Sequence, residues 1–485
     1  MKKPIVCLTS LMLLANVFGK APEFAPVFSS GMVLQQGREL TIRGKAAPEE
    51  MLTLEFAGQK VFGKTGKDGR WQLKLAPLAV SHTPRTMTLT GPGGIRKLED
   101  VLVGEVWLCS GQSNMYWPLN RSLNGKETAA ASNYTEIRVF GIGSNMAASP
   151  QEKTSTKWRK LNPDRAGTMS AVAFYFGRKL YQELTIPIGL ICAHKGGTMI
   201  EPWTPAGAWD TYPDLKKRIS TLFSITPDKT SKLPKDWPQN QPHVLYNGTI
   251  HPLTPCAFRG VIWYQGCSNV WYDSQEDYLL KQQALFDSWK KAFSNPEMKF
   301  YTVQIAPLKR KGTASRNHVG IWLAQQRFAD ANDPKVKLVV INDVGDLKNI
   351  HPVNKEPVGV RLANLALKYD YGKRIQADFP RVLNCEVKNG TVHLSFRFAE
   401  GWKTTDNEPV RNFEIAGPDG KFVPAHAQIS GAEIIVSAAG IPAPAAVRYM
   451  YDCSRLGNLV NESGLPLGTF EASTDRNKRN ERDLL

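Results

Sequence analysis

Cysteine is scarce and scattered in this chain: seven among 485 residues, one of them Cys7 in the amino-terminal leader. The other six, Cys109, Cys192, Cys256, Cys267, Cys385 and Cys453, form no C-x-x-C pair, and several fall on apolar runs, so buried thiols are expected rather than a disulfide framework. Cys385 with Cys453, both near the carboxyl end, is the one pairing left open for a bridge. There is no His-Glu-x-x-His and no clustered His/Cys pattern, so the sequence supports no metal site and implies no cofactor. Net charge is +17, yet no Lys/Arg run with interleaved aromatics marks a nucleic-acid groove. The basic residues are spread and densest in the tail, 475–485, so the balance tilts only slightly toward an acidic substrate. Outside the leader no segment is long and apolar enough to cross a membrane. Met1-Lys2-Lys3 followed by Ile5 to Ala15 is too short to anchor in a bilayer and reads as a secretory signal, residues 1–19, cleaved after about Gly19. Without a lipobox cysteine or any membrane span, the expected product is secreted or periplasmic.

What is present divides into three parts. From 24 to 100, short alternating strands such as Leu40-Thr41-Ile42-Arg43, Leu52-Thr53-Leu54-Glu55-Phe56 and Trp71-Gln72-Leu73-Lys74-Leu75 predict a β-sandwich-like module, with Asp68-Gly69 as a hairpin turn. From 101 to 373, apolar strands alternate with helical patterns. Val172, Phe176, Leu180 and Leu184 recur every four residues, and so do Leu285, Trp289 and Phe293, as helices covering a parallel sheet do. From 374 to 474 alternation returns, in Val392-His393-Leu394-Ser395-Phe396 and Glu433-Ile434-Ile435-Val436, predicting a second β module.

The chemistry-bearing residues follow the middle strands. Val101 to Cys109 leads into Gly111-Gln112-Ser113-Asn114-Met115, and Ile186 to Ala193 leads into Gly196-Gly197-Thr198. Gly260 to Tyr264 leads into Gln265-Gly266-Cys267-Ser268-Asn269, and Leu338 to Ile341 leads into Asn342-Asp343-Val344-Gly345-Asp346 and then Ile350-His351-Pro352. Open α/β sheets place their chemistry at the carboxyl ends of the strands. Serine, glycine pair, amides, then acid and histidine is the order of a Ser-His hydrolase with a separate oxyanion hole. A serine hydroxyl needs a base to attack, and an imidazole with a pKa near 6.5 suits that task at neutral pH. Ile-His-Pro occurs twice, so His251 is a rival base; preceding the third block, it is assigned a structural role.

These blocks resemble the SGNH hydrolases, specifically the sialate O-acetylesterase-like carbohydrate esterases, whose signatures are SGQSNM, a WGGT-type block, a WYQGESN-type block and a GD…IHP block. Phe28-Ser29-Ser30-Gly31-Met32-Val33-Leu34-Gln35 and Phe413-Glu414-Ile415-Ala416-Gly417 are similar to that family's flanking β modules. The resemblance implies a three-layer α/β/α hydrolase domain with a parallel sheet between two β modules. It also implies a secreted carbohydrate O-acetylesterase working through an acetyl-serine intermediate, with sialate 9-O-acetyl esters as favoured substrates. An acetyl-xylan or other plant-polysaccharide deacetylase, or a non-catalytic carbohydrate-binding protein on the same scaffold, are the alternatives. Carried onto this chain, Ser113 is the nucleophile and His351 the base, with Asp346 favoured as the orienting acid, Asp343 second, and a plain dyad third. The family spacing puts Asp three residues before His, where this chain has Lys348. The oxyanion donors are expected from Ser113, Gly196 or Gly197, and an amide of Gln265 or Asn269. Gln112, Trp203 and Cys267 are expected at the substrate, Cys267 standing where the family carries Glu. His194 in the second block is read as a solvated loop residue, and Trp263 and Tyr264 as core.

Overall fold

A computed structural model describes residues 20–223 and 238–475. The predicted signal, 1–19, and all but Asp475 of the basic tail lie outside the described residues. Short strands open the chain: β1 Glu23–Phe24, β2 Val33–Gln35, β3 Leu40–Lys45, β4 Met51–Phe56, β5 Gln59–Lys64, β6 Arg70–Leu75 and β7 Ser81–Gly91. Alternation of apolar and polar residues buries one face of each, so Leu40 and Ile42 on β3 face Leu73 and Leu75 on β6. The Asp68-Gly69 turn does not close a hairpin. β5 pairs with β4 and β6 pairs with β3, so the turn carries the chain from one sheet to another. Local turn chemistry fixes the reversal but not which partner the next strand takes.

The next strand, β8, runs from Gly94 to Gly111 and belongs to both the first module and the central sheet. Its first part pairs antiparallel with β7, Leu102 to Gly104 pair parallel with β2, and Glu105 to Gly111 lie at the middle of the central sheet. Where its surroundings change, Asp100 has φ of +57° and accepts a bidentate bond from the buried Arg138 guanidinium at 2.7 and 3.0 Å. The remaining central strands are β9 Tyr134–Gly141, β10 Arg159–Leu161, β11 Ile188–His194, β12 Gly260–Tyr264, β13 Lys299–Val303 and β14 Val336–Val339, in the order β10-β9-β11-β8-β12-β13-β14. All these pairings are parallel except that of β10 at the edge.

Helices follow in the order α1 Ser113–Tyr116, α2 Gly125–Ala130, α3 Pro163–Ala166, α4 Ala171–Leu184, α5 Pro213–Phe223, α6 Gln275–Ala292, α7 Gly312–Ala331 and α8 Glu356–Tyr369. Side chains alternate across β8, and the two faces bury different partners. Trp107 and Cys109 pack with Val172, Phe176 and Leu180 of α4 and Leu362 of α8, whereas Val106 and Leu108 belong to the apolar cluster holding Leu285 and Trp289 of α6 and Trp322 of α7. The sheet is thus mixed, with helices on both faces. Antiparallel strands from Arg381 to Ser473 close the chain as a β-rich region. There, Cys385 and Cys453 are both buried and no disulfide joins them, so the bridge left open by the sequence is not formed.

Candidate active site

β8, β11 and β12 end level with one another: His194 and Tyr264 both pair with Gly111. Gly111 has φ of +138°, and a Cβ there would meet the Tyr264 carbonyl oxygen at 2.3 Å, so glycine is required at the turn. Gln112 then locks this turn to the loop after β12. Its backbone N–H donates to Tyr264 O at 3.0 Å, its Oε1 accepts from Gly266 N–H at 3.1 Å, and its Nε2 donates to Ser268 Oγ at 3.2 Å. Gln112 is buried and therefore shapes the turn rather than a substrate wall.

Ser113 opens α1, where a backbone N–H has no intrahelical acceptor. Gly196 lies beside it: a Cβ on Gly196 would sit 3.5 Å from Ser113 Cβ. Two contacts bring the histidine loop to the same place. The Trp117 ring stacks on His351 at 5.0 Å between centroids and 21° between planes, and Asn114 Nδ2 donates to the Ile350 carbonyl at 2.9 Å. The first and last blocks, far apart in sequence, thus meet at the carboxyl edge of the sheet. Burial, and then the Lys355 charge, hold the His351 imidazole below its usual pKa.

Neither favoured acid touches that ring. Asp346 Oδ1 accepts the backbone N–H groups of Lys348 and Asn349 at 2.9 and 3.2 Å, capping its own turn at the surface. Asp343 is occupied by Arg361, which grips both its oxygens at 2.8 and 2.6 Å. Among the described residues no carboxylate hydrogen-bonds the imidazole; the stacked Trp117 is what sets its plane.

The amides expected at the oxyanion are also spoken for. Gln265 Nε2 donates to Asn269 Oδ1 at 2.7 Å and to Thr198 O at 3.1 Å, and Asn269 Nδ2 donates to Asp273 Oδ2 at 2.7 Å and Glu201 Oε2 at 3.3 Å. Both side chains are wholly buried. Beneath them Lys281 Nζ donates to Glu201 Oε1 and Asp273 Oδ1, both at 2.6 Å. Burial raises the Asp273 carboxyl against the pull of Lys281, with Glu201 adding to the rise; burial also lowers Lys281, but its two carboxylates outweigh that and raise it. This network braces the loops after β11 and β12, and sequence reading missed it.

Trp203 is likewise no wall residue. It is 0% exposed, with Nε1 donating to Thr198 Oγ1 at 3.0 Å. Cys267 is buried against Asn114 Nδ2, 3.8 Å from its Sγ. Aromatics open to solvent at this edge include Tyr116, edge-on to His194 at 5.4 Å, and Trp271, 62% exposed beneath the Arg310 guanidinium at 4.9 Å. Tyr116 directly follows the serine block and Trp271 comes two residues after the third, which is the signal that could have pointed to them. His251 sits elsewhere, its Nδ1 bonded to Gln151 O at 2.8 Å. It lines a cleft of about 560 Å³ shared with Arg43, Lys45 and Trp71, which none of the residues around Ser113 borders. Among the described residues no group of acidic, histidine or cysteine side chains could hold a metal ion, and no helix is long and apolar enough to cross a membrane.

The Ser113 turn and the His351 loop meet at the carboxyl edge of the central sheet, and comparison with known proteins places the chain among ester hydrolases. A family model described as carbohydrate esterase, sialic acid-specific acetylesterase, matches residues 229–368. The solved structure of a carbohydrate acetylesterase from Xanthomonas citri is 30% identical, covering 94% of this chain and 100% of that one at a TM-score of 0.83. The sialate O-acetylesterase of Pongo abelii is 28% identical over 77% of this chain and 76% of its own length, and that of Mus musculus 27% over 84% of each. The chain belongs to the sialate O-acetylesterase-like family of carbohydrate esterases, and it is a hydrolase acting on esters.

Proposed function

We propose that this protein is a secreted carbohydrate O-acetylesterase that removes acetyl groups from sugars, sialate 9-O-acetyl esters foremost, through an acetyl-serine intermediate on Ser113. The observation that carries the reading is the joining of the Ser113 turn to the His351 loop by the Trp117 stack and the Asn114 bond. Neutral His351 takes the hydroxyl proton as Ser113 attacks the acetyl carbonyl, then returns it to the leaving sugar oxygen; water repeats the cycle on the acyl-enzyme. With Asp343 and Asp346 engaged elsewhere, the pair acts as a dyad oriented by Trp117. The N–H groups of Ser113 and of Gly196 or Gly197 receive the oxyanion, since the Gln265 and Asn269 amides serve the buried network. Loss of one such donor typically costs about 10²–10³ in rate. Tyr116, His194 and Trp271 supply the sugar-facing surface. The two pairs of helices on opposite faces of the sheet fit the layered SGNH arrangement.

The test compares acetate release from 9-O-acetyl sialoside and acetyl-xylan oligomers by the purified protein. Ser113→Ala and His351→Ala should each remove nearly all turnover while His251→Ala and Asp346→Asn leave it standing. More than a few per cent of activity in Ser113→Ala would move the nucleophile elsewhere. Faster release from xylan would replace the sialate preference with the plant-polysaccharide one.

A further inference from the structure

Lys355, the residue that leads into α8, is a buried cation without a counter-charge. It is 1% exposed, and among the described residues no carboxylate pairs with it. Its Nζ donates to Asn114 Oδ1 at 2.5 Å and lies 5.7 Å from the centroid of the Tyr264 ring. A neutral amide and a ring face are weak company for a desolvated ammonium, which ordinarily survives burial only when paired. The same Asn114 reaches Cys267 with its other end and holds the carbonyl just before His351. Cys267 is a buried thiol, and burial keeps it neutral by raising its pKa.

We propose that Lys355 is a positioning and tuning residue for His351: it fixes the Asn114 amide that holds the Ile350 carbonyl, and Cys267, a neutral thiol, leaves its charge free to act on the imidazole. The inference rests on His351 being the base. The titratable and charged groups facing Lys355 are His351 on its own loop, the Tyr264 phenol at the end of β12 and Cys267 beyond it, with Arg310 on the far side of Cys267. Only one of these, Arg310, holds a charge across neutral pH, and it is a second cation. Burial brings the Lys355 ammonium down to about 7, within the working range of an imidazole base. While charged, Lys355 opposes the imidazolium and keeps His351 unprotonated to lower pH. Once it loses its proton, the imidazolium formed during attack is no longer opposed and turnover rises again.

The wild-type dependence of kcat on pH, read with 4-nitrophenyl acetate, should therefore climb in two steps rather than one. Cys267→Glu should pair Lys355, hold it charged, and leave a single step whose midpoint sits higher by about half a pH unit, a threefold gain in proton affinity at His351. Cys267→Gln, of similar size but neutral, should keep both steps. A Cys267→Glu dependence that superimposes on the wild type, or a Cys267→Gln dependence that matches that of Cys267→Glu, overturns the inference. A second readout needs no catalysis. In a Ser113→Ala background, the urea midpoint should rise from pH 7 to pH 9 with Cys267 present and stay level when Cys267→Glu is added, because only an unpaired buried lysine sheds its proton there. Equal rises overturn the inference. Ester hydrolysis surviving in His351→Ala removes the base assignment itself, whereas an inactive His351→Ala with an unmoved Cys267→Glu removes only the role of Lys355.

Discussion

Two lysines are buried at this sheet edge, Lys281 at 3% and Lys355 at 1% exposure, and their chemical surroundings are opposite. Lys281 is clasped by Glu201 and Asp273 and is held charged; Lys355 has Asn114 and is driven toward neutrality. Burial is nearly equal, so the partners decide. At one site the lysine keeps its charge and braces the loops after β11 and β12. The other sits beside Asn114 and the His351 loop, with a proton that burial makes easier to lose. A cation is rigid where its charge is balanced and responsive where it is not.

The contrast is broken most forcefully at Lys281. Lys281→Met leaves Glu201 and Asp273 facing each other in the core, and breaking a buried pair in this way costs about 3–5 kcal/mol. A lowered urea midpoint near pH 7 measures it, and a loss under about 1 kcal/mol would show that the network is not a brace. Lys355→Met should cost less than about 1 kcal/mol at pH 7, because the lost bond to Asn114 is offset by removal of an unbalanced charge. Its sign with pH is fixed. The native pKa of Lys355 lies below the unfolded value of 10.5, so the wild type gains stability as pH rises from about 7, and the variant should lack that gain. The smallest effect is expected from Asp273→Asn. The raised native pKa of Asp273 makes its protonated form a stabilising one, so this contribution is present at low pH and fades as pH rises past the usual carboxylate range. The Asn variant should show a flatter midpoint across that window.

Much of this was legible from residue order. Apolar runs ending in glycine, amide and serine located β8, β11 and β12, and four-residue recurrence located α4 and α6, because those patterns report local geometry and one-sided burial. Side-chain partners were not. Asp346 lies at a plausible spacing from His351, but spacing does not reveal that its carboxylate closes its own turn. Asn269 carries the right chemistry at the right edge, yet its amide answers to Asp273 and Glu201. Trp203, in a loop after Glu201-Pro202, looks exposed until the packing against Trp263 is known. One missed residue did leave a trace. Lys281 falls on the apolar stripe of α6 with Tyr278 and Leu285, where an unpaired charge would be intolerable. Lys355, between Asn354 and Glu356, gives no such sign.

The sharing of β8 between the first module and the central sheet bears on how this protein can be cut. A fragment beginning at Val101 would keep the serine turn but lose β2 and β7, the partners of Leu102 to Gly104 and of Val101 and Val103. Val101, Leu102 and Val103 are all buried in the whole chain. Trimmed at that point, they become an apolar strand end with open backbone donors and acceptors, a template for pairing with a second molecule. Removal of the amino-terminal module is thus expected to yield a protein that aggregates rather than a smaller esterase.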